Sequence, residues 1–147
     1  MSERDLSTPG RRQFNDSLTP RAIEGLVSNP ALKVLQCSSP VSNATWDLLN
    51  SSFFTRRPDV QFRVYGFYGK VCDLSFLTRM RNVRRFSADC LMHATGVEHL
   101  AELYQLESLA IGIFDLKDFE FLSKVPMNIR ELSLQGTKIK ETTLEIA

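Results

Sequence analysis

An apolar pattern that returns every 23 residues constrains the fold of this chain more than any other feature of its sequence. The pattern begins at Val83, Leu106 and Ile129, and in each copy the first, fourth and sixth positions are apolar. A repeat this short cannot bury its apolar edge alone, so such units gain stability by stacking on their neighbours. The sequence therefore predicts a solenoid of similar coils, with one strand in each copy of the pattern.

The segments between the strands carry apolar residues at every third position. Three such runs cover residues 74–83, 97–106 and 116–125. A three-residue period is typical of a short helix or 3-10 segment that buries a single stripe. We therefore expect an α/β protein in which a parallel sheet is covered on its outer side by short helices and 3-10 or irregular segments.

The N-terminal part of the chain differs from these coils. Residues 1–19 contain few large apolar side chains, which predicts a flexible leader. Thr19 and Pro20 are typical of a helix N-cap followed by the first helical position. They predict a short helical cap at about residues 20–29.

The first coils are predicted from less regular spacing. A strand is expected at residues 32–37, a helix within residues 40–58 and a second strand at residues 60–67. Residues 20–147 would then form one domain of about five coils with an open C-terminal end.

The units that begin at Leu106 and Ile129 resemble the leucine-rich repeat, whose consensus reads LxxLxLxxNxL. The resemblance covers roughly residues 30–147, and the spacing looks most like the short bacterial, internalin-like class. It implies a curved parallel sheet on a concave face and short helical or irregular segments on the convex side. It also implies recognition of a partner protein by exposed strand residues.

The sequence departs from this family at the asparagine position. Leu91, Phe114 and Thr137 stand there, so the asparagine ladder that joins successive turns in the family is absent. The resemblance suggests a phenylalanine spine in its place, with Phe67 and Phe114 stacked on each other.

The residues between the repeated apolar positions are predicted to face outward, because alternate residues of a strand point to opposite faces. In the family this face binds a protein, and Tyr65 would be its one aromatic anchor. The alternative is a solvated strand face without a partner. The predicted partner-binding residues form columns across successive strands: Arg63, Tyr65, Arg85, Ser87, Asp89, Ser108, Ala110, Gly112, Glu131, Ser133 and Gln135.

Charge is distributed unevenly along the chain although the formal net charge is only +1. Residues 56–85 contain eight basic and two acidic residues, whereas residues 86–120 contain seven acids and one lysine. One interpretation is a gradient that orients a charged protein partner. The other is that neighbouring coils neutralise each other, with Arg84 or Arg85 reaching Glu107.

Nucleic-acid and membrane functions are disfavoured by the same composition. A net charge near zero argues against binding to nucleic acid by bulk charge, and the basic patch at residues 79–85 belongs to no recognised module. No apolar run approaches the roughly 18 residues that a bilayer span requires.

Catalytic and metal-binding patterns are also missing from the sequence. Cys90, His93 and His99 match no known zinc spacing or nucleophile–base motif. Together with Cys37 and Cys72, the cysteines are odd in number and far apart, as expected for reduced, buried thiols in a cytoplasmic protein. We therefore expect no enzymatic activity, no cofactor and no metal.

These observations predict a non-enzymatic module that binds another protein, for example an adaptor, an effector fragment, or an inhibitor or immunity-type protein. The alternative is a targeting or regulatory repeat segment of a larger enzyme or effector. Ile139, Thr142 and Leu144 half-form a further outer segment. We therefore expect the chain to be a fragment or to self-associate through its C-terminal end.

Overall fold

The computed structural model describes residues 4–5, 10–126 and 128–135. The helical elements in these ranges are α1 (Pro20–Val27), α2 (Asn43–Leu49), a π-helical turn (Asn50–Phe54) and three 3-10 segments (Leu74–Arg79, Val97–Glu102 and Glu120–Lys124). The strands are β1 (Arg4–Asp5), β2 (Arg11–Gln13), β3 (Val34–Cys37), β4 (Gln61–Tyr65), β5 (Cys72–Asp73), β6 (Arg85–Leu91), β7 (Ala94–Thr95), β8 (Ser108–Ile113) and β9 (Glu131–Gln135).

The main sheet contains six parallel strands in the order in which they occur along the chain, β2-β3-β4-β6-β8-β9. Each connection between them contains a helix or a 3-10 segment. Strand β1 is added antiparallel to β2, while β5 and β7 form a separate pair between the connections. The prediction of an α/β protein with a parallel sheet and short helical segments is confirmed.

Residues that are 23 positions apart in the sequence pair with each other on neighbouring strands of this sheet. Phe86 pairs with Leu109, and Leu109 pairs with Leu132, so equivalent positions of successive copies lie side by side. The same row continues upstream from Phe86 to Phe62 and Leu35, although the sequence intervals there are longer. The register is maintained because the extra residues lie in the connections outside the main sheet, which contain α2 and its π-helical turn between β3 and β4, and a loop with a 3-10 segment between β4 and β6.

The core lies between the sheet and the connecting segments and is rich in aromatic rings. Trp46 of α2 stacks on Phe76, with ring centroids 4.2 Å apart and planes 14° apart. The edge of Trp46 meets Phe62 at 5.8 Å, and Phe62 contacts Phe86 at 5.5 Å. Aromatic pairs of this kind contribute about 0.5–1.5 kcal/mol beyond the burial of their area. Coils that differ in sequence are therefore joined by shared ring contacts.

The two helix starts follow their predicted caps. Thr19 Oγ1 accepts a hydrogen bond from the Ala22 backbone N–H at 3.1 Å, and Pro20 occupies the first helical position. Ser42 Oγ accepts from the Thr45 N–H at 3.4 Å at the start of α2. The helix predicted at about residues 20–29 corresponds to α1, which ends at Val27, two residues before the predicted end.

Residues 11–18 differ from the predicted flexible leader. Strand β2 pairs in parallel with β3, and Phe14 and Leu18 are buried in the core. The Phe14 ring lies 6.1 Å from Trp46 and 6.3 Å from Phe62. The composition argument failed because the edge of β3 supplies backbone partners, and burial of one phenylalanine adds roughly 1.5–3 kcal/mol. The leader prediction underestimated both contributions.

The predicted phenylalanine spine is wrong. Phe67 is buried, but 41% of the surface of Phe114 is exposed, so the two rings do not stack inside the core. Leu91, which occupies the equivalent position between them, is buried. The third member of this column, Thr137, lies outside the described residues.

Strand β9 is the last strand of the sheet among the described residues. Its inward-facing Leu132 and Leu134 are half-buried, as is Ile129 just before it. The predicted open C-terminal end, with Ile139, Thr142 and Leu144, lies outside the described residues. No helix among the described residues is both long and apolar enough to cross a membrane.

Candidate functional site

The side chains that the sequence assigns to partner binding lie on the face of the sheet opposite the apolar core, which we call the polar face. The register confirms the predicted columns over most of this face. A shift in pairing between Ala88 and Leu91 interrupts one column, so that Asp89 is not paired in register with Gly112. The paired columns are Arg63–Ser87–Ala110–Ser133, Arg85–Ser108–Glu131, Tyr65–Asp89 and Gly112–Gln135.

A hydrogen-bonded network centred on Arg63 occupies the N-terminal half of the polar face. The Arg63 Nε donates to both carboxylate oxygens of Asp89, at 2.9 and 3.1 Å, and its Nη2 donates to Asp89 Oδ1 at 2.6 Å. Its Nη1 donates to Gln36 Oε1 at 2.9 Å, and Ser87 Oγ donates to Asp89 Oδ2 at 3.0 Å. A guanidinium that meets a carboxylate through two nitrogens forms one of the stronger polar contacts in proteins.

The network extends through Tyr65 to the first parallel strand. The Arg63 guanidinium carbon lies 4.4 Å from the centre of the Tyr65 ring, which is a cation–π contact. The Tyr65 hydroxyl donates to Gln13 Oε1, and Gln13 Nε2 donates to Ser38 Oγ at 3.2 Å. We call Gln13, Gln36, Arg63, Tyr65, Ser87 and Asp89 the Arg63 network.

This geometry corrects part of the predicted binding surface. Ser87 is only 1% exposed, so a partner cannot reach it, and Gln36 is only 2% exposed. Burial lowers the pKa of Arg63, but the hydrogen bonds and charge of Asp89 outweigh this and raise it above its ordinary value. The sequence placed Arg63 and Asp89 on one face but not in contact. Their opposite charges one strand apart were the available signal.

The C-terminal half of the polar face is built differently. Ser108, Ala110 and Gly112 of β8 are half-buried, and Ser133 and Gln135 of β9 are exposed. These side chains are small or short, and none of them takes part in the Arg63 network. The surface is therefore open mainly above Ala110, whereas Asp89 packs so closely over Gly112 that a Cβ there would lie 3.2 Å from the Asp89 Cβ.

One ion pair crosses this open surface. The two Nη atoms of Arg85 lie 3.2 and 3.3 Å from the carboxylate oxygens of Glu131, so the pair spans the intervening strand at Ser108. The predicted contact of Arg85 with Glu107 is therefore wrong. With 32% and 64% of its two side chains exposed, the pair contributes about 0–1 kcal/mol. A partner could displace it at small cost.

Ion pairs between coils favour neutralisation over a charge gradient. Among the described residues, six of the eight basic side chains in residues 56–85 form a salt bridge, and Arg84 and Lys70 do not. Two of the six reach the acidic block. The pairs are Arg56–Glu24, Arg57–Asp59, Arg63–Asp89, Arg79–Asp47, Arg81–Glu102 and Arg85–Glu131.

The cysteines and histidines lie in different environments. Cys37 and Cys72 are buried, and burial raises the pKa of Cys72 to about 12. Cys90 is exposed, contrary to the prediction of three buried thiols, and its φ of 52° belongs to the bulge in β6. His93 Nδ1 contacts Asp115. No group of three or more metal-ligating side chains occurs within residues 4–5, 10–126 and 128–135.

Comparison with known proteins gives no identity for this arrangement. No protein-family model matches the sequence, and no curated protein matches it either.

Proposed function

We propose that the chain is a leucine-rich repeat protein of the short-repeat type and that it binds a partner protein without catalysing a reaction. The observation that carries this proposal is the open part of the polar face over β8 and β9. Strands in a 23-residue register present Ser108 and Ala110 there, beside the exposed Ser133 and Gln135. Side chains of this size allow another protein to approach the sheet closely, and stacked repeats commonly bind along such surfaces.

The binding surface that we propose is smaller than the sequence suggests. It comprises Arg85, Glu131 and the short side chains between and beside them. We exclude the members of the Arg63 network because they already form hydrogen bonds with one another. The Arg85–Glu131 pair would separate on binding and offer one charge of each sign to the partner. Charge pairs at the rim of an interface mainly set orientation and association rate.

A protein partner fits the charges of the chain better than nucleic acid does. Arg79, Arg81 and Arg85 of the basic patch are each held by an acid of this chain, at 2.9, 2.8 and 3.2 Å. These pairs lower the net positive charge of the basic patch, which weakens its attraction for phosphate groups. We place the protein in the cytoplasm, and its free cysteines are consistent with a reducing compartment.

The test uses two half-buried alanines, one on the polar face and one in a connecting segment. Ala110 is half-buried on the open part of the polar face, and Ala101 is half-buried in the 3-10 segment Val97–Glu102. Tagged wild type, Ala110→Arg and Ala101→Arg proteins would be isolated from the source organism, and co-purifying proteins would be identified by mass spectrometry. We expect one protein to be retained by wild type and Ala101→Arg and lost from Ala110→Arg.

Two results would contradict the proposal. One is that the wild-type chain retains no protein at all. The other is that a retained protein binds Ala110→Arg as tightly as Ala101→Arg, provided that circular dichroism shows both variants to be folded.

A further inference from the structure

A groove of about 480 Å³ lies where the carboxyl ends of β3 and β4 meet, away from the polar face. The segment after β3 contributes Pro40 and Val41 to one wall, and the loop between β4 and β5 contributes Phe67 and Val71 to the other. None of the residues that we assign to partner binding lines this groove. It is therefore a separate feature of the molecule.

Two stacked rings line the groove. Trp46 and Phe76 lie with their centroids 4.2 Å apart, and they are only 3% and 9% exposed. The indole N–H of Trp46 has no acceptor among the described residues, yet it is not sealed off from solvent. A groove with apolar lining and one free donor can hold an aromatic or long apolar side chain and donate a hydrogen bond to a backbone carbonyl beside it.

The loop at the rim exposes two large side chains with apolar surface. Val71 is 53% exposed at the groove, and Tyr68 of the same loop is 78% exposed. The turn at Gly66 has φ +73°, and the Tyr68 ring covers it so closely that a Cβ there would lie 2.9 Å from the ring. The Tyr68 ring thus packs on the backbone of the turn while most of its surface faces solvent. Neighbouring apolar groups exposed in this way commonly mark a docking surface.

The charged side chains at the groove determine which charge a bound segment should carry. Arg79 is neutralised by both carboxylate oxygens of Asp47, at 3.2 and 2.9 Å. Asp73 uses Oδ1 to cap the Ser75 N–H at 2.9 Å, and its Oδ2 has no partner among the described residues. The free carboxylate oxygen of Asp73 complements a cation, and the third titratable side chain of the lining, His99, lies 3.9 Å from Glu98.

We propose that this groove binds a segment of another protein that places an aromatic or long apolar side chain in the groove, between Val71 and the Trp46–Phe76 pair, and a lysine or arginine beside Asp73. The site is independent of the polar face, so the chain has two surfaces for protein contacts. A tandem arrangement of this kind would allow the chain to bridge two proteins, or to hold one partner at two points.

The experiment exploits the fact that Trp46 is the only tryptophan in the chain. Its single indole N–H resonance in a proton–nitrogen NMR spectrum reports directly on the groove. The probes are three nine-residue peptides with identical glycine and serine flanks and the central triplets Lys-Phe-Lys, Glu-Phe-Glu and Lys-Ser-Lys. We expect Lys-Phe-Lys to shift the indole resonance in a saturable manner. The other two should bind at least about tenfold more weakly, since each lacks an anchor.

Variants on the protein complete the test. Val71→Ser should weaken the Lys-Phe-Lys peptide severalfold, whereas Met92→Ser should not, because Met92 is equally exposed at 53% but does not line the groove. Asp73→Asn keeps a side chain that can cap Ser75 and should weaken binding about threefold, as expected for an exposed ion pair. These substitutions are at exposed positions, so folding is preserved.

Three results would overturn the proposal. The first is no saturable shift of the indole resonance with the Lys-Phe-Lys peptide. The second is equal affinity for Glu-Phe-Glu, which would remove the role of Asp73. The third is that p-cresol alone binds as tightly as the peptide, which would make the groove a small-molecule site.

Discussion

Replacing Arg63 by alanine should destabilise the protein more than any other single change of a charged residue on the polar face. The substitution removes the guanidinium that meets Asp89 through two nitrogens and Gln36 through a third. Asp89 would keep only the hydroxyl of Ser87 among its network partners, and the Gln36 carbonyl oxygen would lose its donor while only 2% of the residue is exposed.

The size of the effect follows from these two losses. A hydrogen bond to a charged group contributes about 1.5–3 kcal/mol, and a buried acceptor left without a donor costs about 1–3 kcal/mol. The Arg63 and Asp89 side chains are 16% and 32% exposed, so solvent compensates part of the first term. We expect a decrease of about 3 kcal/mol in the free energy of unfolding. Arg63→Lys should lose about half as much, because an ammonium cannot donate in the fork geometry of a guanidinium.

Urea denaturation followed by far-ultraviolet circular dichroism measures this change. With a slope of about 1.5 kcal/mol per molar urea, the midpoint of Arg63→Ala should fall by about 2 M. The matched control is Arg84→Ala, because Arg84 is half-buried in the same region but forms no salt bridge within the described residues. Its expected effect is below about 0.5 kcal/mol. Equal midpoints for Arg63→Ala and Arg84→Ala would refute the reasoning.

Three further predictions concern other parts of the chain. In the native protein, Ellman's reagent should react quickly with one thiol, that of the exposed Cys90, and with all three only in denaturant; Cys90→Ser should abolish the fast reaction. Asp16 accepts hydrogen bonds from the backbone and side chain of Ser42, which lowers its pKa. Its contribution to stability is therefore present above its unfolded pKa and lost as the pH falls through its folded pKa. The difference in melting temperature between wild type and Asp16→Asn should accordingly shrink below about pH 4. Gly66→Ala should destabilise by about 1 kcal/mol because φ is +73° and the new Cβ would lie 2.9 Å from the Tyr68 ring. Gly25→Ala is the control, since it lies in α1 with open space around it and should stabilise by about 0.5–1 kcal/mol.

The parallel sheet could be predicted from the sequence because apolar spacing acts locally and repeatedly. Each copy of the pattern buries the same positions. The sequence interval alone therefore predicts that Phe86 pairs with Leu109 and Leu109 with Leu132. Caps at Thr19 and Ser42 were equally predictable, because each depends only on residues within one helical turn.

The errors have a common physical origin in contacts between distant parts of the chain. Whether Phe14 is buried depends on a free strand edge and on Trp46, which lies on another element. Whether the Arg63 guanidinium is available to a partner depends on its hydrogen bonds to Asp89, which lies 26 residues further along the chain. Listing the outward-facing positions of single strands cannot reveal that these side chains already form hydrogen bonds with one another.

The Arg63 network also has a consequence for how the protein unfolds. In a stack of repeats, each coil contacts mainly its neighbours, so the ends can open separately. Side chains from β2, β3, β4 and β6 are joined in one network. Its hydrogen bond between Tyr65 and Gln13 connects residues that are 52 positions apart in the sequence. These four strands should therefore open together as one cooperative unit and protect their amides from hydrogen exchange to a similar degree. Strands β8 and β9 lie beyond the network, so this end of the sheet should exchange first and could reshape itself around a partner while the rest of the molecule stays folded.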